Sequence, residues 1–153
     1  MTDIDYDDPT LEDDWIRTKR IQVTTYLRDQ NLNHGAIGNF PAWHVAPCTS
    51  VWAVESFIAP GYVGWWAVCG DHPTDYIAAS TKHPRGALRV FSQNWTKLAA
   101  DMKAKRPLFS SWIGNRSNSR HLATLLDGRA KAFLAFAEDD ELWDYDESEF
   151  EIP

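Results

Sequence analysis

The sequence has little cysteine and no long apolar run, and both absences narrow the class of protein. Of 153 residues only Cys48 and Cys69 are cysteine, with no CxxC pair and no Cys/His spacing typical of a metal site. Isolated thiols of this kind are typical of small buried hydrophobic residues in a reducing compartment. The longest apolar stretch, Val63 to Cys69, is far shorter than the roughly 18 residues that a membrane span needs. We expect a cytoplasmic protein that makes no membrane contact and holds no metal or cofactor.

Basic residues are missing from both ends of the chain. Residues 1–14 carry seven acids and residues 138–153 carry nine, whereas all 15 Lys and Arg lie in residues 15–137. The acidic start is unlike the basic start of a secretory signal. Like-charge blocks are typical of solvated tails, so we expect an acidic tail over 1–9, a single domain over 10–137 and a second acidic tail over 138–153. Alternatively, the tails fold back on the basic middle or bind a basic partner, and apolar residues such as Trp143 favour docking of the second tail.

Helical periodicity predicts helices on both sides of the central part of the chain. Apolar residues recur at helical spacing over residues 10–31, and Thr10 with Asp13 resembles a capping box at the start of that helix. A second helix is expected after Pro84, with the stripe Leu88, Phe91, Trp95, Leu98 and Met102. The last helix is expected from about Ser119, and a short turn over 108–113 precedes it.

The centre has the composition of strands. Residues 43–46, 50–58 and 62–69 are rich in β-branched and aromatic residues, and 75–80 offers a fourth, edge strand. Pro60 and Gly61 suit the two central positions of a type II turn, which predicts a hairpin. If residue 59 pairs with residue 62, Glu55 lies opposite Trp66. The predicted fold class is α+β: a three- to four-stranded antiparallel sheet preceded by one helix and followed by two to three helices.

The densest group of reactive side chains is the segment Cys69-Gly-Asp-His-Pro-Thr-Asp-Tyr76, which follows an apolar strand. Asp71, His72 and Asp75 could act as an acid/base pair or as metal ligands. The same residues also make good turn chemistry, because Asp and Thr side chains bond nearby backbone amides and Pro sets the turn. We favour the structural role over a ligand site.

Three other places offer candidate contacts. An acid within an apolar strand, Glu55, needs a partner, and pairing with Arg17 or Arg85 is favoured over a site carboxylate. Trp43 and His44 suit stacking on a ring or anchoring a peptide, or else they close one end of the sheet. Arg116 and Arg120 near a helix start could hold a phosphate, although no P-loop, GxGxxG, GxSxG or HExxH pattern accompanies them.

One sequence pattern extends over four places in the centre of the chain: Pro41-Ala-Trp43, Pro47, Val51-Trp-Ala-Val-Glu-Ser56 and Gly64-Trp-Trp-Ala-Val-Cys-Gly-Asp-His-Pro-Thr-Asp-Tyr-Ile77. This pattern resembles a family of small bacterial proteins, mostly gammaproteobacterial. That family is a domain of unknown function, and the likeness covers about residues 12–137. The resemblance implies a bacterial cytosolic setting and transfers no catalytic residue.

Two functions from different classes fit these observations. We favour a non-enzymatic binding or regulatory protein whose partner is another protein, for example a basic one that the acidic ends neutralise. The alternative is a small ligand-binding or hydrolytic domain for a small molecule, with a pocket at the Asp71–Tyr76 turn near Glu55, Trp43 and Arg85. Nucleic acid is disfavoured, because the isoelectric point near 5.1 and the acidic ends would repel phosphates.

Overall fold

A computed structural model describes residues 4–104 and 119–143, which fall into two compact units divided after Ala79. Residues 4–79 form one helix and a sheet, and we call them the sheet unit. Residues 80–104 and 119–143 form two helices and a short turn, and we call them the helical unit. No helix of either unit, over these residues, is both long and apolar enough to cross a bilayer.

The first helix, α1, runs over Pro9–Asp29. The capping box predicted at Thr10 is wrong, because the N-cap is Asp8, whose side chain accepts a hydrogen bond from the Thr10 amide at 2.9 Å. Pro9 follows at the first helical position, where the missing N–H costs nothing. The helix ends before Asn31, which takes a positive φ of 57°.

The sheet unit contains five antiparallel strands, β1 (His34–Ile37), β2 (Trp43–Val45), β3 (Thr49–Ser56), β4 (Val63–Gly70) and β5 (His72–Ala78). One edge of β3 pairs with β4, which in turn pairs with β5, and the other edge pairs with both β1 and β2. The predicted α+β class is confirmed. The sheet has one strand more than expected, since β1 forms where the sequence predicted only the end of a helix.

The β3–β4 hairpin contains the turn that the sequence predicts but a different register. The Tyr62 amide bonds the Ala59 carbonyl at 3.1 Å, and Gly61 has a φ of 90°, as a type II turn requires. The expected pairing of Glu55 with Trp66 is wrong, because Glu55 faces Val63 and Trp66 faces Ala53. The turn closes only part of a six-residue loop, and an irregularity after Val54 shifts the ladder by one residue.

One face of the sheet packs against α1. At its centre the Trp52 indole donates to Ser50 Oγ at 2.8 Å, and that hydroxyl donates to the Cys69 carbonyl at 2.6 Å. The polar atoms of Trp52 and Ser50 are therefore paired within this core, while each buried large apolar side chain contributes about 1.5–3 kcal/mol. The core cluster consists of Ile16, Val23, Leu27, Ile37, Trp52, Val54, Ala67 and Cys69.

The helical unit pairs α2 (Pro84–Lys103) with α3 (Ser119–Glu138), and one 3-10 turn follows at Asp140–Leu142. Both helices match their predicted positions. Trp95 is fully buried between Phe91 and Phe133, with ring centroids 6.2 and 5.0 Å away. Ser92 Oγ donates to the Ala130 carbonyl at 2.7 Å, which fixes the two helices close together.

Candidate functional site

The loop between β3 and β4 presents three exposed large apolar side chains, two of which are the most exposed of the sheet unit. Phe57 is 64% exposed, Ile58 91% and Tyr62 74%. These three side chains project from residues 57–62, and we call this loop the apolar tip. No residue from Ser56 to Gly64 carries a charge. Single exposed apolar residues are common on protein surfaces, but three large ones within six residues form a patch.

The backbone of the apolar tip is fixed by hydrogen bonds. The Ser56 amide donates to the Tyr62 carbonyl at 2.8 Å, and the Ala59 amide donates to Ser56 Oγ at 3.1 Å. With the Tyr62–Ala59 bond of the type II turn, these contacts hold both ends and the middle of the loop. The tip is therefore a structured platform that presents its side chains in one arrangement.

Glu55 joins the apolar tip to β1. Its Oε2 accepts from the Gly61 amide at 3.0 Å, and its Oε1 accepts from the Ala36 amide at 3.3 Å. A Cβ at Gly35 would collide with Oε1, so glycine is needed there for the carboxylate to fit. The predicted pairing of Glu55 with Arg17 or Arg85 is wrong, because main-chain amides provide its contacts. Arg17 pairs with Asp14, and Arg85 belongs to the helical unit.

The segment predicted as an Asp71–Tyr76 turn is a tight reversal at Asp71 followed by β5, which already begins at His72, so the fourth strand starts earlier than the predicted Asp75. Local hydrogen bonds hold this reversal. His72 Nε2 lies 2.8 Å from Thr49 Oγ1, and its Nδ1 lies 2.8 Å from the Pro73 carbonyl. Asp75 is buried, and its carboxylate accepts from the Tyr76 amide at 2.8 Å. The Asp71 amide donates to the Cys48 carbonyl at 3.0 Å, which ties this turn to the turn before β3.

Trp43 and His44 lie on opposite faces of the sheet. Trp43 is aligned with Val51, Val68 and Asp75 across β3, β4 and β5, on the face away from α1. His44 lies on the α1 face, 3.6 Å from Glu12 and with its ring 6.2 Å from that of Trp15.

Glu55 does not join the other candidates of the sheet unit. It lies six strand positions from Thr49, where the Asp71–His72 turn begins, or roughly 20 Å along β3. Glu55 and His72 thus lie at opposite ends of the sheet, and Trp43 and His44 lie on its two opposite faces. The structure does not bring them together as one site.

Arg85 closes the end of the helical unit. Its guanidinium donates to the Ala137 carbonyl at the end of α3 and to Asp140, and it lies over the Trp143 ring, 5.9 Å from the centroid. The contact with Arg85 lowers the pKa of the Asp140 carboxyl below its ordinary value of 3.8. The Trp143 indole donates to the Phe136 carbonyl at 3.0 Å and packs edge-on against His83. The start of the acidic C-terminal segment therefore docks on its own unit.

Of the two remaining candidates, only Arg120 lies within the described residues. Arg120 is exposed at the start of α3, and Arg116 lies outside the described residues. Over residues 4–104 and 119–143, no three His, Cys, Asp or Glu side chains come close enough to hold a metal ion. Burial raises the pKa of the Cys69 thiol above its ordinary value of 9.0, and Gln22 and Thr74 contact its sulfur.

Comparison with known proteins gives one result. The sequence model of a family described as "Domain of unknown function (DUF4826)" matches residues 10–143. The chain belongs to this family. No curated protein and no solved structure matches it. The resemblance to a domain of unknown function is thereby confirmed, and the span of the family extends beyond the expected 12–137 to end at Trp143, the residue that packs against His83 and Arg85.

The apolar tip falls inside the DUF4826 span, yet sequence reasoning did not single it out. Ile58 and Tyr62 fall within the predicted strands 50–58 and 62–69. An apolar residue next to a strand pattern predicts a buried strand position, not an exposed one. The absence of charge does not mark the tip, because the uncharged run extends from Ser56 to Gly70 and includes the whole of β4. The sequence therefore gives no local signal that separates the loop from the strands.

Proposed function

We propose that this chain is a non-catalytic module that binds another protein through the apolar tip, in the reducing cytoplasm of a bacterial cell. The observation that carries the proposal is the exposure of Phe57, Ile58 and Tyr62 on a loop held by hydrogen bonds. An exposed patch of this kind is costly in water and is typical of an interaction surface.

The size and rigidity of the apolar tip support this role. With about 200 Å² for each full side chain, the three residues expose roughly 450 Å², which is as large as the largest patch of a typical monomer. Aromatic anchors near the centre of an interface supply much of its affinity. Because the loop is already ordered by Glu55 and Ser56, binding would lose little additional backbone entropy.

The alternative, a ligand-binding or hydrolytic site at the Asp71–Tyr76 turn, has less support. His72 contacts Thr49 and the Pro73 carbonyl, and Asp75, which lies within β5, accepts from the Tyr76 amide. Glu55, which was expected to complete the pocket, lies at the other end of β3. The contacts of His72 are those expected of a residue that stabilises the reversal between β4 and β5.

Site-specific photo-crosslinking tests the proposal. The full chain carries benzoylphenylalanine at position 58 or, as a matched control, at position 21, because Ile21 is also an exposed isoleucine but lies on α1. We expect a protein adduct from position 58 and none of the same mass from position 21. Excess unlabelled wild-type chain should suppress the adduct, whereas the variant Phe57→Ser/Ile58→Ser/Tyr62→Ser should not.

The protein identified in that adduct is then purified and its affinity measured directly. Loss of two aromatic anchors and one aliphatic anchor should raise Kd by at least about 30-fold, or roughly 2 kcal/mol. Equal affinities of the wild type and the triple variant, with both folded by circular dichroism, would show that the apolar tip is not the contact.

A further inference from the structure

We infer that the partner is a basic protein with an apolar cleft that encloses the tip. This inference rests on the proposed function and goes beyond it by naming the shape and charge of the opposite surface. It depends on three features of the sheet unit: the area of the apolar tip, its lack of charge, and a second, acidic surface at the other end of β3.

The area of the tip argues against a second copy of this chain as the occupant. Two tips packed face to face would bury at most roughly 900 Å² in total, whereas stable specific interfaces bury about 1,200–2,000 Å². A convex loop reaches that size only if the opposite surface wraps around it and also covers its flanks. A concave apolar cleft does this, and it leaves no charged group of the partner opposite residues 56–64.

The charge of the sheet unit sets the sign of the partner. Its described residues include ten acids and four bases, a formal charge of −6. Five carboxylates are exposed around the start of α1, and we call them the acidic end: Asp5, Asp7, Asp8, Asp13 and Asp14. A partner with basic residues around its cleft would be attracted by this field, and an acidic partner would be repelled.

The acidic end has a fixed position relative to the tip. Trp15 packs between Tyr6 and His44, with ring centroids 6.3 and 6.2 Å away, and Glu12 lies 3.6 Å from His44. His44 pairs with Ser50, six residues along β3 from Ser56, so the two surfaces lie roughly 20 Å apart. This spacing is within the width of one standard interface, and it exceeds the Debye length of about 8 Å at physiological salt.

Separate surfaces predict separate kinetic effects. Charges at the acidic end act before contact, so their removal should slow association and weaken its salt dependence. The apolar tip acts after contact, so its removal should speed dissociation. A single surface carrying both properties would not divide the two rates in this way.

The experiment measures association and dissociation rates by surface plasmon resonance, with the purified protein crosslinked at position 58 as the probe. The charge variant is Asp7→Asn/Asp13→Asn, two exposed positions. Its matched control is Asp29→Asn/Glu138→Gln, which removes the same charge elsewhere from exposed sites. We expect about five-fold slower association for the charge variant at low salt and less than two-fold for the control, with unchanged dissociation in both. The triple tip variant should dissociate at least about 30-fold faster.

The outcomes separate this inference from the proposed function. An acidic or uncharged protein partner, or association that is insensitive to salt and to Asp7→Asn/Asp13→Asn, would overturn the inference alone. An adduct only with the chain itself or with lipid, or a crosslinked protein that binds the triple variant as tightly as the wild type, would overturn the proposed function as well. A basic partner with divided rate effects supports both.

Discussion

The sheet unit and the helical unit use aromatic residues in opposite ways. In the helical unit, Trp95, Phe91 and Phe133 are buried against one another, and Trp143 covers the end near His83. The sheet unit buries Trp52 and Trp66 but leaves Phe57 and Tyr62 in solvent. The comparison teaches that the aromatic residues described in the helical unit are buried or half-buried, whereas the sheet unit leaves aromatic side chains in solvent that its core does not use.

Charge divides the same two units. The described sheet unit has a formal charge of −6, while the described helical unit carries eight bases and six acids, or +2, because four of its acids lie in residues 138–141. The basic middle expected from the sequence is therefore concentrated in α2 and α3. Arg85 and Arg89 both direct a guanidinium nitrogen at the Ala137 carbonyl, where cations complement the end of a helix.

The largest expected effect is the loss of a buried ring in the helical unit. Trp95→Ala should lower the free energy of unfolding by about 4 kcal/mol, because a large side chain is removed from between Phe91 and Phe133 and leaves a cavity. The matched change in the sheet unit, Tyr62→Ala, should lower it by less than about 0.5 kcal/mol. Urea unfolding followed by circular dichroism checks both. Similar decreases in the free energy of unfolding for the two variants would contradict the contrast between the buried Trp95 and the exposed Tyr62.

A smaller effect is expected where the helical unit closes on its C-terminal segment. Arg85→Ala removes the bonds to the Ala137 carbonyl and to Asp140, and should destabilise the protein by about 2 kcal/mol. Arg85→Lys should recover only part of this loss, because one ammonium cannot reproduce the planar fork. Hydrogen exchange of the Trp143 indole N–H, which donates to the Phe136 carbonyl, should accelerate in Arg85→Ala. Unchanged exchange and unchanged stability would mean that the segment docks without Arg85.

Glu55 links the fold of the sheet unit to the order of its tip. Glu55→Gln replaces one acceptor oxygen by a donor NH₂, so one of the two amides, Ala36 or Gly61, loses its acceptor, at a cost of about 1 kcal/mol. Hydrogen exchange of the Gly61 amide or of the Ala36 amide should accelerate at least about five-fold, while amides in the centre of β3 keep their protection. Uniform acceleration across the sheet would instead identify Glu55 as a general stabilising residue.

The smallest effect is the pH dependence from Cys69. Because burial raises the pKa of this thiol above 9.0, the folded state holds the proton more tightly than the unfolded state. The resulting stability is fully present below pH 9 and is lost as the pH rises through the folded-state pKa. Unfolding midpoints measured from pH 8 to 10.5 should fall less steeply in Cys69→Ala than in the wild type. Cys48→Ser, at an exposed thiol, is the control and should keep the wild-type slope.

Local patterns predicted the helices and the type II turn, because their causes are local. The stripe along α2 and the Pro60-Gly61 pair act within a few residues of the chain. The strand β1 was missed because His34–Ile37 has no strand pattern of its own and forms by pairing with β3. The register at Glu55 depends on contacts with Ala36 and Gly61 that spacing alone does not reveal.

The candidate site was less predictable than the fold. The sequence predicts a possible functional role for Asp71 and His72, because Asp and His are common catalytic residues. In the structure, His72 instead makes the hydrogen bonds that hold the reversal between β4 and β5. The sequence predicts no functional role for Phe57, Ile58 and Tyr62, because apolar residues next to strands are usually buried. The solvent exposure of these three side chains depends on where the strands end and the loop begins. It can therefore be determined only from the folded sheet unit.

The comparison of Ile58→Ser with Ile21→Ser tests the central claim most directly. Both substitutions remove one exposed isoleucine from the sheet unit, but only Ile58 belongs to the apolar tip. Equilibrium titration against the protein crosslinked at position 58 should show at least about ten-fold weaker binding for Ile58→Ser and less than two-fold for Ile21→Ser. Equal affinities for the two variants would contradict the assignment of the apolar tip as the binding surface.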